Sequence, residues 1–108
     1  ARLGQAYWQK GTYSAAGVRA RKALKLWPQC SRGHAVLGIV SYEMASFRKA
    51  RKYLRRAVAA NPNLALAHHY LGRAYKALGQ KRAARNHFRR YLKLRPKGPL
   101  ASDTRKAL

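Results

Sequence analysis

Apolar residues recur along the chain about every 3.6 positions, in segments that are separated by glycine, proline and asparagine. This spacing is typical of helices that bury one face, and no segment shows the alternation of a strand. The pattern therefore predicts an all-α fold, with Ser31 as the cap of one helix. The predicted helices cover residues 1–10, 14–26, 31–44, 47–60, 65–78, 82–94 and, after a last break, 99–108.

Four separate sets of residues repeat with the same period of 34 positions. They are Leu3-Gly4, Leu37-Gly38 and Leu71-Gly72; Ala16, Ala50 and Ala84; Leu26, Ala60 and Leu94; and Pro28, Pro62 and Pro96. A shared period of this length indicates a stacked array of two-helix units rather than one globular core. The functional question is then what the surface of the array holds.

Glycine recurs inside the first helix of each unit, as Gly4, Gly38 and Gly72. Within a helix, Gly costs about 0.5–1 kcal/mol relative to Ala. Three occurrences at one repeat position indicate a steric purpose, and we expect it to be close approach of the two helices of a unit. The expected small partners on the second helix are Ala16, Ala50 and Ala84.

The residues that carry the period resemble the tetratricopeptide repeat family, whose pattern is W-x2-L-G-x2-Y, then A-x3-F, then A and P. The third unit, HHYLGRAYKALGQKRAARNHFRRYLKLRP, matches most fully. Matching residues are Leu71, Gly72, Tyr75, Ala84, Phe88 and Pro96 in the third unit; Leu37, Gly38, Ala50, Leu54, Ala57 and Pro62 in the second; and Leu3, Gly4, Tyr7, Ala16, Ala23 and Pro28 in the first. The chain departs from the pattern at His34 and His68, in the Trp position, and at Ser41, in the Tyr position.

The resemblance implies a right-handed superhelical array of antiparallel helix hairpins, an α-solenoid. It divides the chain into a truncated first repeat at 1–30, a second at 31–64, a third at 65–98 and a C-terminal capping helix at 99–108. Terminal repeats need such a cap, and we expect Leu100, Ala107 and Leu108 to cover the open end. Because Ala1 falls inside the motif, we expect the sequence to be a piece of a longer protein.

The charge of the chain is strongly one-sided. It holds 25 Lys and Arg residues but only two acids, Glu43 and Asp103, for a formal net charge of +23. Like charges follow one another four positions apart on the predicted helices, and each such pair costs about 0.2–0.5 kcal/mol before salt screening. These pairs are Arg21/Lys25, Arg51/Arg55, Lys52/Arg56 and Arg85/Arg89. An anionic partner is the simplest reason for this composition, although any single cation is more often just solvated.

In the family that the chain resembles, the first helix of each repeat lines a concave groove. The corresponding positions here are Gln5, Trp8, Gln9, Arg32, Ala35, Ile39, Tyr42, Glu43, Leu66, His69, Arg73 and Lys76, with Val36 and Tyr70 beside them. We expect Trp8, Ile39, Tyr42, Leu66 and Tyr70 to bury apolar anchors of a ligand, and Arg32, Arg73 and Lys76 to pair with carboxylates. For Val36 and Tyr70, packing between helices is an equally good explanation.

The sequence gives little support to an enzyme, a cofactor or a metal site. The two carboxylates lie in distant elements, so they form no acid and base pair. Cys30 and His34 are close enough to meet across a helix start, but a nucleophile also needs a pocket and an oxyanion site. His68 and His69 point in different directions on a helix, and no second Cys or nearby carboxylate completes a metal site.

A chaperone-tail clamp, which some members of the family form, is also not expected. That subclass holds the C-terminal carboxylate of its ligand with Lys, Asn and Arg. The corresponding positions here are Ala1, Gln5, Val36, Leu66 and Tyr70, none of which is a cation or Asn. The lone Cys30 fits a reducing, cytoplasmic compartment, and no apolar run approaches the length of about 18 residues that a membrane span needs.

The sequence therefore predicts a module that binds an acidic, partly apolar segment of another protein in its groove. The Ala, Arg and Leu-rich style resembles the repeat arrays of bacterial scaffold proteins that serve motility, pili or cell polarity. The alternative is nucleic-acid binding through the basic surface, since charge and aromatic residues for stacking are both present. Attraction to anionic lipid, or deliberate supercharging of an engineered scaffold, are further possibilities.

With so large a net charge, we expect both the stability of the protein and its binding to an anionic partner to depend on salt concentration. Adding moderate salt to the free protein is expected to raise its melting temperature, because screening weakens the repulsion among the cations. The same salt is expected to weaken the binding of an anionic partner. Thermal unfolding followed by circular dichroism at increasing NaCl concentration measures the first effect. A melting temperature that falls with salt would contradict the prediction.

Overall fold

The computed structural model describes residues 15–26 and 30–108, and the regular elements in this part of the chain are helices. They are α1 (residues 15–26), α2 (Ser31–Glu43), α3 (Phe47–Ala60), α4 (Ala65–Ala77), α5 (Lys81–Leu94) and α6 (Ala101–Ala107). The predicted all-α fold is confirmed, and the predicted ends of α2 to α6 agree to within two residues. The helix predicted over residues 1–10, with Gly4, lies outside the described residues.

The helices pack as consecutive pairs. Helix α2 packs on α3 and α4 packs on α5, while contacts of α4 with both α2 and α3 stack one pair on the next. Alanine dominates the core between α2, α3 and α4, where Leu54 and Leu71 are the large side chains. The small members of that cluster are Ala35, Ala50, Ala57, Ala67 and Ala74. A core of small side chains brings helix axes close together, so the array depends on steric fit.

The repeated glycines lie where the two helices of a pair touch. A Cβ added at Gly72 would lie 2.7 Å from two ring carbons of Phe88 and 3.1 Å from the carbonyl oxygen of Ala84. At Gly38, an added Cβ would lie 2.7 Å from Cδ2 of Leu54. The predicted close approach is confirmed for both, but the side chain that fills the space is Leu54 or Phe88. Ala50 and Ala84, the expected partners, are buried beside these side chains.

The two hairpin turns have the same geometry. Gly79, between α4 and α5, has φ of 80°, and the equivalent residue between α2 and α3 is Ala45, with φ of 61°. Each turn closes with an amide that reaches back five residues, Gln80 N to Tyr75 O at 2.8 Å and Ser46 N to Ser41 O at 2.8 Å. Ala45 therefore holds a left-handed conformation that Gly adopts without strain.

Two details of the helix ends differ from the predictions. Helix α2 is capped by Cys30 without a side-chain hydrogen bond, so Ser31 is its first residue rather than its cap. Helix α6 begins at Ala101, not at Pro99, because residues 98 to 100 form a turn in which Leu100 N donates to Tyr91 Oη at 3.2 Å.

The cap is formed partly by other residues than expected. Leu100 packs against buried Tyr91 and Ala101, as predicted for a residue that covers the end of the array. Ala107 is half-buried and Leu108 is 48% exposed. The face of α6 that is buried consists of Ala101 and Thr104, of which Thr104 is fully buried. The cap therefore includes a polar group, which must find hydrogen-bond partners inside the protein.

The close contact at Gly72 gives a test of the packing. Gly72→Ala is expected to lower the free energy of unfolding by about 1–3 kcal/mol, because the methyl group overlaps Phe88 and overpacking outweighs the gain in helix propensity. The matched control is Gly17→Ala in α1, where the added Cβ would lie 3.6 Å from Val40, an ordinary contact. The control is expected to be neutral or stabilising by up to about 1 kcal/mol. Chemical denaturation measures both, and equal effects would contradict the prediction.

Candidate functional site

The predicted groove residues fall into three groups by exposure. Gln5, Trp8 and Gln9 lie outside the described residues. On α2 and α4, five predicted residues are exposed and four are half-buried. The exposed ones are Arg32, Glu43, Leu66, Arg73 and Lys76, and the half-buried ones are Val36, Ile39, Tyr42 and Tyr70. Ala35 and His69 are buried, so they lie beneath this surface rather than on it.

Tyr42, Tyr70 and Arg73 form one cluster on the side of α2 and α4. The two tyrosine rings meet edge to face with 5.7 Å between their centroids. The Arg73 guanidinium lies over both rings, 5.4 Å from the centroid of Tyr42 and 5.8 Å from that of Tyr70. Stacking on aromatic faces orients the guanidinium and leaves its N–H groups available for an anion. Both tyrosines also pack against the core, so the cluster has a fixed base.

A cavity of about 330 Å³ adjoins this cluster. Four of its lining residues were predicted from the sequence, namely Tyr42, His69, Arg73 and Lys76. The others are Ala77, Phe88, Asp103 and Ala107, which come from α4, α5 and α6. The C-terminal helix thus forms one wall of the cavity and adds the Asp103 carboxylate to a lining that also holds two cations, Arg73 and Lys76.

Helix α6 is fixed to this site by a buried hydrogen-bonded chain. The Thr104 hydroxyl donates to the Leu100 carbonyl at 2.6 Å, so it accepts from Nδ1 of His69 at 2.7 Å. This arrangement requires the neutral His69 tautomer with its proton on Nδ1. The pKa of His69 is lowered to about 4, chiefly by burial and in part by the Arg73 charge, against a raising effect of Asp103. The floor of the cavity is therefore neutral at physiological pH.

A pair of histidines, His68 and His87, lies between α4 and α5. Nδ1 of His68 is 3.1 Å from Nδ1 of His87, and Nε2 of His68 donates to the Pro62 carbonyl at 2.7 Å. His87 also stacks on Tyr75, with 5.5 Å between ring centroids. The pKa of His87 is lowered to about 4, chiefly by burial and in part by the charges of His68 and Arg55. Burial likewise lowers the pKa of His68, against the raising effect of Pro62, and Arg90 adds to the lowering.

Sequence reasoning missed Asp103, Thr104 and Phe88 as parts of this site. Phe88 was recognised as a repeat position, but nothing in the periodicity shows that its ring reaches the cavity. The sequence shows Asp103 only as an isolated acid, because its place in the same cavity lining as Arg73 depends on how α6 docks. The one signal in the sequence for this part of the site is that Asp103 is one of only two acidic residues in a strongly basic chain.

The described residues offer little for other chemistry. Cys30 and His34 are joined through their backbones, His34 N to Cys30 O at 3.2 Å, and the thiol is free. Within residues 15–26 and 30–108, no three His, Cys, Asp or Glu side chains come together in a group able to hold a metal ion. The helices in the described part of the chain include none that is both long and apolar enough to cross a membrane.

Comparisons with known proteins agree with this architecture. Residues 65–97 match the model of the tetratricopeptide repeat family. No curated protein matches the sequence. A solved structure of the first TPR of Spaghetti (RPAP3) bound to HSP90 peptide SRMEEVD is similar with a TM-score of 0.81 and 24% identity, over 98% of this chain and 85% of that one. The crystal structure of MamA has a TM-score of 0.76 and 23% identity, over 95% of this chain and 60% of that chain, so this chain spans less than two thirds of it.

The lowered histidine pKa values predict acid sensitivity. The folded state keeps His68, His69 and His87 neutral where the unfolded chain, with a pKa near 6.5, takes up protons. Stability is therefore expected to be retained above pH 6.5 and to fall as the pH drops towards 4, by at most about 1.4 kcal/mol per pH unit for each histidine.

Urea denaturation between pH 7 and pH 5 measures this dependence. His69→Asn is a suitable control variant, because the Asn amide replaces the Nδ1 donor to Thr104 but does not titrate. Its stability is expected to fall less steeply with pH than that of the parent protein. A flat profile in the parent protein would show that the histidines are not held neutral.

Proposed function

Because residues 65–97 belong to the tetratricopeptide repeat family and the helices around them share its fold, we propose that this protein-interaction module binds an acidic, partly apolar segment of a partner protein. The observation that supports this proposal most directly is the cluster of Tyr42, Tyr70 and Arg73 beside the cavity. Tyrosine and arginine are the residue types in which binding energy concentrates at protein interfaces. The family is a non-enzymatic interaction fold, in keeping with this role.

The ligand chemistry follows from the residues at the site. Arg73 and Lys76 are exposed cations that can pair with carboxylates, and Arg73 can do so with two hydrogen bonds. Leu66 is 46% exposed on the same helix, and an apolar ligand side chain can cover it. We infer that the ligand alternates carboxylates with apolar groups. We propose that the module is part of a cytoplasmic scaffold protein. From the Ala, Arg and Leu-rich sequence, we suggest a scaffold of the bacterial motility, pilus or polarity class.

The site is expected to differ from that of the neighbour bound to the HSP90 peptide. The second-repeat and third-repeat positions that correspond to a carboxylate clamp are Val36, Leu66 and Tyr70, which have no cation. Recognition would therefore depend on side-chain carboxylates of the ligand and not on its C-terminal carboxylate. Nucleic-acid binding, the alternative that the sequence also suggests, would use the exposed charges of the outer helices and would therefore be sensitive to other substitutions.

Titration of SRMEEVD and related peptides tests this proposal. Binding is expected to survive amidation of the peptide C-terminus and to be lost when both Glu residues are replaced by Gln. Tyr42→Ala and Arg73→Glu are each expected to weaken binding by ~2 kcal/mol or more, because they remove anchors of the cluster. Asp103→Asn is expected to strengthen binding, since it removes the carboxylate that competes for Arg73 and Lys76.

The control is Arg51→Glu with Arg55→Glu on the outer side of α3. These charges steer the ligand without touching it, so the pair is expected to slow association and leave the dissociation rate unchanged. Normal affinity in both Tyr42→Ala and Arg73→Glu, with loss in the outer pair, would overturn the proposal. Loss of binding on amidation alone would instead indicate a C-terminal carboxylate clamp.

A further inference from the structure

The outer side of α3 carries a second concave surface that the peptide site does not use. Its side chains enclose a trough of about 550 Å³, lined by Arg48, Arg51, Lys52, Arg55, Arg56 and Ala59. We call this surface the α3 trough. Five of its six lining residues are cations, and neither Glu43 nor Asp103 is among them. We propose that the α3 trough is a sequence-independent binding site for the phosphate backbone of a nucleic acid.

The arrangement of the cations supports this assignment. From Arg48 to Arg56 the helix advances eight residues, which is about 12 Å of axial rise. Five charges over that length give one per ~2.4–3 Å, close to the linear charge density of nucleic acids, which carry one phosphate per ~3.4 Å of each strand. Four of the five cations are Arg, and a guanidinium group can donate two hydrogen bonds to the oxygens of one phosphate.

Repulsion among the cations of the α3 trough also destabilises the protein when no ligand is bound. Arg51 and Arg55, and Lys52 and Arg56, are like charges four positions apart on one helix face. Arg51 is held by a hydrogen bond from its Nη1 to Gln80 Oε1, 2.9 Å away, so its guanidinium is fixed beside its neighbours. A polyanion in the trough would relieve this repulsion and release counterions, which is the usual driving force for backbone binding.

A membrane surface fits this face less well than a nucleic acid. Helices that lie in a lipid interface combine a cationic face with apolar side chains that insert into the bilayer. The apolar side of α3 is already used in the core, where Ala50, Leu54 and Ala57 are 0% exposed. The large hydrophobic residues that are exposed in the described part of the chain are Val18, Leu26, Met44, Leu66 and Leu108, none of which lies on α3.

An acidic protein segment is likewise a poorer occupant. Protein ligands take most of their affinity from buried aromatic or aliphatic anchors, whereas the trough offers only the methyl group of Ala59. A nucleic-acid backbone needs no such anchor, because phosphate contacts alone supply non-specific affinity. The trough offers cations but no Asn, Gln or carboxylate side chain, and phosphate contacts carry no sequence information, so we expect binding to be independent of sequence.

The test uses a fluorescein-labelled DNA duplex of random sequence, titrated by anisotropy at several NaCl concentrations. The key variant is Lys52→Gln with Arg56→Gln, two exposed residues whose loss relieves repulsion and so leaves the fold intact. It is expected to weaken binding roughly tenfold or more at physiological salt and to make the plot of log K against log salt less steep by about 1.8. A second duplex of unrelated sequence is expected to behave in the same way.

The matched control is Arg73→Gln with Lys76→Gln, which removes the same kinds of charge from the peptide site. This control is expected to lower log K for the duplex by less than half of the decrease that Lys52→Gln with Arg56→Gln causes. Equal loss in the two double variants would mean that net charge, not the trough, holds the duplex, and would overturn the proposal. Binding to phosphatidylserine-containing vesicles but not to duplex would overturn it in favour of a lipid surface.

The same variants separate this inference from the proposed peptide function. Lys52→Gln with Arg56→Gln is expected to keep the affinity for SRMEEVD within about twofold, because rim and distant charges act mainly on association. Failure of duplex binding would therefore leave the peptide site standing. Failure of peptide binding in the parent protein would equally leave the trough standing, since no residue is shared between the two surfaces.

Discussion

The fold rests on the close contact between the two helices of each pair. At Gly38 and Gly72 there is no room for a Cβ atom, because Leu54 and Phe88 fill that space from the facing helix. Buried alanines continue this contact along the helices and between the pairs. The close fit leaves the outer faces of α3 and α5 outside the core, so charges on these faces do not disturb the buried contacts.

This separation explains how so basic a chain keeps a defined core. The cations of α3 and α5 lie on exposed faces, whereas the buried faces hold Ala50, Leu54 and Ala57 or Ala84, Phe88 and Tyr91. Repulsion among exposed cations is screened by salt and amounts to tenths of a kcal/mol for each pair. Burial of apolar area on the inner faces is larger and is not screened. The charge is thus a property of the surface and does not oppose the packing directly.

The two candidate sites use this architecture in different ways. The peptide site combines α2, α4 and α6, and its character depends on aromatic rings, Arg73 and a neutral histidine floor. The α3 trough belongs to one helix and depends on charge alone. A partner with both a peptide segment and a polyanionic component would contact two separate surfaces of the array. The C-terminal helix affects only the first site, through Asp103 and the Thr104 contact with His69.

The sequence alone determined the helices, their pairing and the role of the glycines, because each follows from a local period or from the size of one residue. The resemblance to the repeat family placed Tyr42, Arg73 and Lys76 on one helix face, and all three line the same cavity. It did not show that His69 is buried or that Asp103 and Phe88 line the same cavity. Those facts depend on how α6 docks against α4 and α5, and Thr104 is held there by a hydrogen bond between residues 35 positions apart. Periodicity describes contacts within and between repeats, whereas this cap occurs once and its position is set only by tertiary packing.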